Sequence, residues 1–329
     1  MRAIRRILVP VGNATAASLP AIDKAAQLAA AFGARLELFH DIADPIVIDG
    51  AWHQPGRTLA GIQAELRQRA FERLEDLAEP LRSRRLTVST SAVWDYPPYE
   101  AILRRAAAIG ADLIVAPRRE RHRLPALLGY TDWELLRLSP IPVLLVKSSA
   151  PYRRPKVLAA IDPTHAHAKP SGLDQRILDY GAEVCGALRG TLHVVHAHMP
   201  RPLPPSLTFD TKRRKQLLAQ DEGEARATLD KALLTRTLQR KPIPAARRHL
   251  VRGAPAAAIP ATARKTRSAI VVIGAVSRSA LKRLFIGNTA ESVMDSLRCD
   301  LLVVKPAKFP LKGPRARRGA QLIAPPVRL

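Results

Sequence analysis

The sequence predicts an α/β protein made of two tandem doubly wound parallel-sheet domains. Three segments recur along the chain in the same order, at offsets of 150, 157 and 158 residues: ILVPVG (7–12) as VLAAID (157–162), ADLIVAP (111–117) as SAIVVIG (268–274), and PVLLVK (142–147) as DLLVVK (300–305). Runs such as LIVAP and IVVIG are apolar at successive positions, as is typical of parallel strands covered by helices on both faces. A length of 329 residues also favours two domains over one. The repeat therefore predicts a tandem duplication of one unit.

Each half alternates short apolar runs with helical patterns, which predicts a parallel sheet joined by right-handed crossovers. In the first half, the predicted strands are 6–11, 35–41, 86–93, 112–117 and 142–147, and the predicted helices are 15–32, 57–81, 97–109 and 131–138. In the second half, the predicted strands are 156–162, 191–198, 247–252, 269–274 and 300–305, and the predicted helices are 173–188, 210–238, 255–266 and 288–297.

The domain boundaries follow from composition. The proline-containing segment SSAPYRRPK (148–156) predicts a linker between a first domain, 1–148, and a second domain, 154–307. Residues 308–329 contain several prolines and many basic residues but no acid, so we predict an extended or disordered basic tail.

Charge and composition limit the classes of function. The net charge of +25 divides into +4 for residues 1–150 and +21 for residues 151–329. This excess favours non-specific attraction to polyanions, including nucleic acid, although arginine-rich helix faces also account for it. No apolar run is long enough for a membrane span, and the two cysteines, with no CxxC, suit a reducing cytoplasm.

Ligands of doubly wound sheets bind beyond the carboxyl ends of the strands, so the loops after the first and fourth strands of each half are the places to search. In the second half the first strand ends at Asp162, which suits an adenine amino group, a ribose hydroxyl or an ordinary Asp-Pro turn. The fourth strand ends at Gly274, where a ligand could approach the backbone closely. Gly287, Asn288 and Thr289 open the last helix, whose amides suit a phosphate or an ordinary helix cap.

Other residue clusters point to alternative chemistries. His165, His167, His196 and His198 suit either a zinc site above the sheet or ordinary polar roles, and they lack compact ligand spacing. Arg118, Arg119, Arg121 and Arg123 follow the first half's fourth strand and suit an anion or a solvated face. The clusters KRRK (212–215) and RARR (315–318) come without an aromatic platform, and the chain has no nucleophile elbow, Walker A or HExxH motif.

The chain resembles the universal stress protein family over about residues 3–307, in a tandem two-domain arrangement. The segments that carry the resemblance are TDWELLRLSPIPVLLVK (131–147), VRGAP (251–255) and IGNTAESVMDSLRCDLLVVKP (286–306). The resemblance implies an adenine nucleotide alpha hydrolase-like fold, a cytoplasmic stress-response role, and pairing of domains within one chain or in a homodimer.

ATP-binding members of that family use an Asp after the first strand and a Gly-x2-Gly-x9-Gly-Ser/Thr loop after the fourth. Carried onto this chain, the positions are Asp162, Gly274, Ser277, Gly287 and Asn288, with Thr289 adjacent. Ser277 replaces the second glycine and Asn288 the hydroxyl, and both departures weaken the expected phosphate loop. In the first half Gly12 occupies the position of Asp162, which predicts a degenerate domain without nucleotide that serves pairing or partner binding.

The sequence therefore predicts a non-enzymatic stress-response factor with an ATP or adenine nucleotide site in the second domain, no catalytic residues, and no metal except Mg²⁺ carried by the nucleotide. The alternatives are a binding module for another anionic or lipidic ligand with a vestigial nucleotide site, and a slow ATPase.

Overall fold

The computed structural model describes residues 3–12, 19–42, 59–118, 131–164, 172–198, 228–275, 288–307, 309 and 321–323. The chain divides into two compact units. The first unit comprises Met1–Arg153 together with Lys308–Leu329, and the second comprises Arg154–Ala307.

The first unit contains six strands and four helices in its described ranges. In chain order they are β1 (Arg6–Pro10), α1 (Pro20–Phe32), β2 (Arg35–Asp41), α2 (Leu59–Arg82), β3 (Val88–Trp94), α3 (Pro98–Ile109), β4 (Leu113–Pro117), α4 (Thr131–Leu138), β5 (Val143–Val146) and, after the second unit, β11 (Gln321–Ile323). The strand order is β11-β3-β2-β1-β4-β5, and every pairing is parallel except that of β11 with β3.

The second unit repeats this plan. Its elements are β6 (Lys156–Ala160), α5 (Leu173–Ala187), β7 (Thr191–His198), α6 (228–237), β8 (Arg248–Arg252), α7 (Pro255–Thr266), β9 (Ile270–Gly274), α8 (Asn288–Ser296) and β10 (Asp300–Val304). The strand order is β10-β9-β6-β7-β8, and all pairings are parallel.

The predicted fold class is confirmed, because both units are doubly wound parallel sheets with helices on their faces. The central strands form the core of each unit: Leu8 and Val9 of β1 and Val157 and Leu158 of β6 are fully buried. Complete burial of consecutive residues means that both faces of these strands are covered, as their unbroken apolar runs predicted. Among the described helices, none has the length and apolar character that a membrane span requires.

Two local predictions need correction. The first helix begins at Pro20, not at residue 15, and Leu19 has φ −126° and ψ 69°. Proline lacks the N–H that a helix interior requires and disfavours helical backbone at the preceding residue, so it marks the first turn. The tail predicted at 308–329 as extended or disordered includes β11, so residues 321–323 are extended and not disordered. Residues 210–227 of the predicted long helix lie outside the described ranges.

Candidate functional site

The strand order defines one crevice in each unit. In the first unit the chain leaves β1 towards β2 and β3 and then crosses back to β4, on the other side of β1. In the second unit the same reversal places β6 between β7 and β9. Because helices leave in opposite directions at such a reversal, a crevice forms beyond the carboxyl ends of these two strands. The candidate ligand sites are therefore the β1/β4 crevice and the β6/β9 crevice.

In the second unit, Asp162 and Gly274 lie on opposite sides of the β6/β9 crevice. The register pairs Ala159 of β6 with Val272 of β9, so Asp162 lies one residue beyond the level of Gly274. The main chain at Asp162 is held in place, since its N–H donates to Asp174 Oδ1 of α5 at 3.0 Å. The Thr164 hydroxyl donates to Asp162 Oδ1 at 2.6 Å, as expected for an Asp-Pro turn. The turn fixes a half-buried carboxylate at the crevice.

Gly274 has a packing reason for being glycine. A Cβ at this position would lie 2.7 Å from Leu173 Cδ2, 2.9 Å from Leu173 Cγ and 3.1 Å from Ile177 Cδ1. Helix α5 therefore occupies the space that a side chain would need. The predicted close approach of a ligand is not required to explain this glycine.

We expect Gly274→Ala to destabilise the second unit by about 1–2 kcal/mol, because the new methyl group overlaps the Leu173 side chain. The double variant Gly274→Ala with Leu173→Val removes Cδ2, the nearer of the two clashing Leu173 atoms, and should recover part of the loss. Urea denaturation followed by far-UV circular dichroism measures both variants. An unchanged midpoint for Gly274→Ala would contradict this account of the packing.

The remaining predicted loop residues are only partly described. Ser277 and Gly287 lie outside the described ranges. Asn288 and Thr289 are the first residues of α8, so the backbone at these two positions forms a helix N-terminus as predicted. A helix N-terminus presents backbone amides and a positive dipole end, which favour an anion.

Two cationic residues of the second unit lie at the carboxyl edge of β10. Lys305 follows β10 directly and is 3% exposed, and burial lowers the pKa of its ammonium group to about 7. Arg176 of α5 donates from Nε to the Lys305 carbonyl oxygen at 2.8 Å. Neither residue was singled out by the sequence analysis, although a lysine directly after the apolar run DLLVV was a visible signal.

His196 and His198 lie on the same face of β7, whereas His165 and His167 are outside the described ranges. His196 is buried, and its Nδ1 donates to the Ile161 carbonyl oxygen at 3.3 Å, which leaves Nε2 as the acceptor in the neutral ring. Burial lowers the pKa of His196, and the carboxylates of Asp162 and Asp230 oppose this shift. The His196 ring therefore holds the backbone carbonyl of Ile161, directly before Asp162, in place by a hydrogen bond. Within the described ranges, no group of three or more His, Cys, Asp or Glu residues is arranged to hold a metal ion.

Two carboxylates line the β1/β4 crevice of the first unit. A pocket there is lined by Gly12, Asp41, Thr131, Asp132 and apolar residues of β1, α3, β4 and α4. Asp132 is 4% exposed, and its Oδ1 accepts the N–H of Trp133 at the start of α4 at 3.0 Å. The carboxylate thus lies at the N-terminus of α4, where the helix dipole favours a negative charge. The residue of the second unit that corresponds to Asp132 is Ala290, at the same offset of 158 residues that relates Lys147 to Lys305.

Comparison with known proteins identifies the class to which this architecture belongs. The model of the universal stress protein family matches residues 3–147 and again residues 154–305. The chain therefore belongs to the universal stress protein family, in its tandem form, and the predicted membership is confirmed.

Individual relatives support the same assignment. Universal stress protein E of Escherichia coli strain K12 is 29% identical over 301 residues, which cover 88% of this chain and 90% of that protein. A universal stress protein E homolog of Haemophilus influenzae is 27% identical over 225 residues, covering 68% and 71% of the two chains. Both relatives are universal stress protein E proteins, so the chain is similar to this form of the family.

Two solved structures share the fold over the length of the chain. A functionally unknown protein from Pseudomonas aeruginosa PAO1 has a TM-score of 0.65 at 28% identity, covering 92% of this chain and 93% of that one. A universal stress protein from Archaeoglobus fulgidus has a TM-score of 0.58 at 17% identity, with 92% and 97% coverage, and shows the fold alone.

Proposed function

We propose that this universal stress protein is a non-enzymatic stress-response factor that binds an adenine nucleotide in the β6/β9 crevice of its second unit. The observation that carries the proposal is the position of Asp162 and Gly274 at the carboxyl ends of the neighbouring strands β6 and β9, where the strand order of the second unit reverses. A fixed carboxylate at this position accepts hydrogen bonds from the adenine amino group or from a ribose hydroxyl.

Electrostatics favour the second unit for the phosphates. Residues 154–307, which form the second unit, contain 26 Lys and Arg and 12 Asp and Glu, a net charge of +14. Within this unit the segment from Gly274 to Thr289 contains Arg278, Lys282 and Arg283 but no acid. Backbone amides at the start of α8 complement an anion, and the cations raise its local concentration. In this proposal Asn288 and Thr289 contact the phosphates, Ser277 stands where the family has a glycine, and Gly287 leads into the helix.

The same reasoning argues against a nucleotide in the first unit. Asp132 already accepts an amide at the start of α4, and Asp41 adds a second carboxylate to the pocket. Two carboxylates beside a phosphate are repulsive, and Gly12 provides no side-chain acceptor for a base or ribose. We therefore propose that the first unit serves pairing or partner binding.

Calorimetric titration of ATP with Mg²⁺ tests the proposed site. We expect saturable binding that is at least tenfold weaker in Asp162→Asn, because the amide replaces a charged acceptor by a weaker neutral one. Asp41→Asn, which neutralises a carboxylate in the first unit's pocket, is the matched control and should bind as tightly as the unsubstituted chain.

Three results would overturn the proposal: absence of saturable binding, unchanged affinity in Asp162→Asn, or equal losses in both variants. The packing reason for Gly274 favours one alternative, a module for another anionic or lipidic ligand with a vestigial nucleotide site. Absence of ATP binding would favour that alternative. Steady phosphate release during the titration would instead indicate slow ATP hydrolysis.

A further inference from the structure

The end of the chain returns to the first unit after the second unit is complete. Residues 321–323 form β11, which adds an antiparallel strand to the outer edge of β3. The register pairs Gln321 with Trp94, Leu322 with Val93 and Ile323 with Ala92. The β3 edge of the first unit is therefore occupied by a segment that lies more than 200 residues away in sequence.

The hydrogen bonds between β2 and β3 show which backbone groups of β3 face β11. Ile42 N–H donates to the Val93 carbonyl oxygen at 2.9 Å, so the polar groups of Val93 point towards β2. Because backbone direction alternates along a strand, the N–H and C=O groups of Ala92 and Trp94 point to the outer edge. Their partners in the register are Ile323 and Gln321, whereas the N–H of Leu322 points away from β3.

The outer edge of β3 has the properties of a surface that captures an extended peptide. Ala92 and Val93 are buried, with 0% and 7% exposure, so the edge is bounded by apolar core. Unpaired strand edges bind extended segments through main-chain hydrogen bonds. In the described residues β11 covers only Ala92–Trp94, and no strand pairs with the outer side of residues 88–91.

The occupying strand is short and is tethered by a long connection. It makes three residue pairs with β3 in the described residues. The sequence continues to Pro325 and Pro326, which lack the N–H that a sheet pairing uses. Residues 308–320 connect it to the second unit, a length that can span roughly 45 Å when extended. A pairing of this size is weak by itself and depends on the effective concentration that the tether provides.

We propose that the outer edge of β3 is a strand-exchange site, filled within one molecule by residues 321–323 and open to the same segment of a second copy of the chain. A second copy is the partner because its carboxyl-terminal segment has the same sequence and tether, so it reproduces every backbone bond of the intramolecular pairing.

Proline substitutions in the full-length chain release the strand selectively. Ile323→Pro removes an N–H that faces β3, whereas Leu322→Pro, the matched control, removes one that faces away. We expect amide hydrogen exchange at Ala92 and Trp94 to accelerate at least tenfold in Ile323→Pro and little in Leu322→Pro. Unchanged tryptophan fluorescence and exchange in β1 and β4 would show that the unit remains folded.

A fluorescent synthetic peptide of residues 319–329 then supplies the strand of a second molecule. We expect it to bind the Ile323→Pro chain saturably, and to bind at least tenfold more weakly when the nitrogen of Ile323 is methylated. Methylation of the Leu322 nitrogen should change the affinity little. Equal exchange rates in the two proline variants, absence of saturable peptide binding, or equal affinities of the two methylated peptides would each overturn the proposal.

Discussion

Replacing Lys305 with methionine is expected to change how the stability of the second unit depends on pH. The ammonium group is 3% exposed, and burial lowers its pKa to about 7 from the ordinary 10.5. Between pH 7 and pH 10.5, Lys305 carries a proton in the unfolded chain but not in the folded chain. The free energy of unfolding of the unsubstituted chain should therefore be lowest below pH 7 and rise with pH above it.

The maximal slope is about 1.4 kcal/mol per pH unit for one group. We expect the difference in stability between the unsubstituted chain and Lys305→Met to change by roughly 2 kcal/mol between pH 7 and 9. Methionine keeps the length of the side chain without a titratable group. Lys156→Met removes an exposed cation of the same unit and serves as the control.

Urea denaturation by far-UV circular dichroism at a series of pH values measures this effect. Tryptophan fluorescence reports only the first unit, which contains all three tryptophans, Trp52, Trp94 and Trp133. An unfolding transition seen by circular dichroism but not by tryptophan fluorescence is therefore that of the second unit. Parallel pH profiles for the unsubstituted chain and Lys305→Met would contradict the assignment of a depressed pKa to this lysine.

Replacing Arg105 with methionine should destabilise the first unit by about 3 kcal/mol, because it leaves a buried carboxylate without its cation. Glu37 lies in β2 with 6% exposure, and Arg105 Nε of α3 donates to its Oε1 at 2.5 Å. The Ser91 hydroxyl donates to the same oxygen at 2.6 Å. The pair thus connects a helix to the middle of the sheet.

The double variant Glu37→Met with Arg105→Met removes both charges and should restore most of the lost stability, since an apolar pair of similar volume avoids the cost of burying ions. Tryptophan fluorescence during urea denaturation reports the first unit directly. Equal stabilities of the single and double variants would show that the buried charge is not the source of the loss.

Much of the fold could be predicted from the sequence because the signal is local and repeated. The unbroken apolar runs of β4 and β9 predicted parallel strands, and the preserved order of three segments predicted the duplication. Helices such as α3 and α7 begin at a proline and end before a residue with left-handed backbone, Gly110 and Arg267 respectively. These boundaries are set by near-neighbour chemistry, which sequence patterns express well.

Features that depend on tertiary contact were not predicted. Nothing in the sequence of residues 321–323 separates them from the rest of the basic tail, because their strand structure comes from pairing with β3, far away in sequence. Gly274 ends strand β9, and the space at this position is limited by Leu173 of helix α5, so the glycine pattern alone suggested a ligand. Asp132 was also missed, because its proximity to Asp41 follows from the strand order and not from spacing.

At the candidate site, the sequence predicted at which end of the sheet Asp162 and Gly274 lie. The carboxyl ends of the first and fourth strands follow from the order of elements and the doubly wound rule, which placed Asp162 and Gly274 together. The sequence did not supply the supports of that site. Asp174 holds the Asp162 amide, and His196 holds the Ile161 carbonyl, through contacts between elements that only the folded chain brings together.

The central claim is that one adenine nucleotide binds per chain, in the second unit. Native mass spectrometry of the full-length chain with ATP and Mg²⁺ measures this stoichiometry directly. We expect a single added nucleotide, with unchanged occupancy in Asp41→Asn and strongly reduced occupancy in Asp162→Asn at the same nucleotide concentration. No bound nucleotide, two nucleotides per chain, or unchanged occupancy in Asp162→Asn would contradict this.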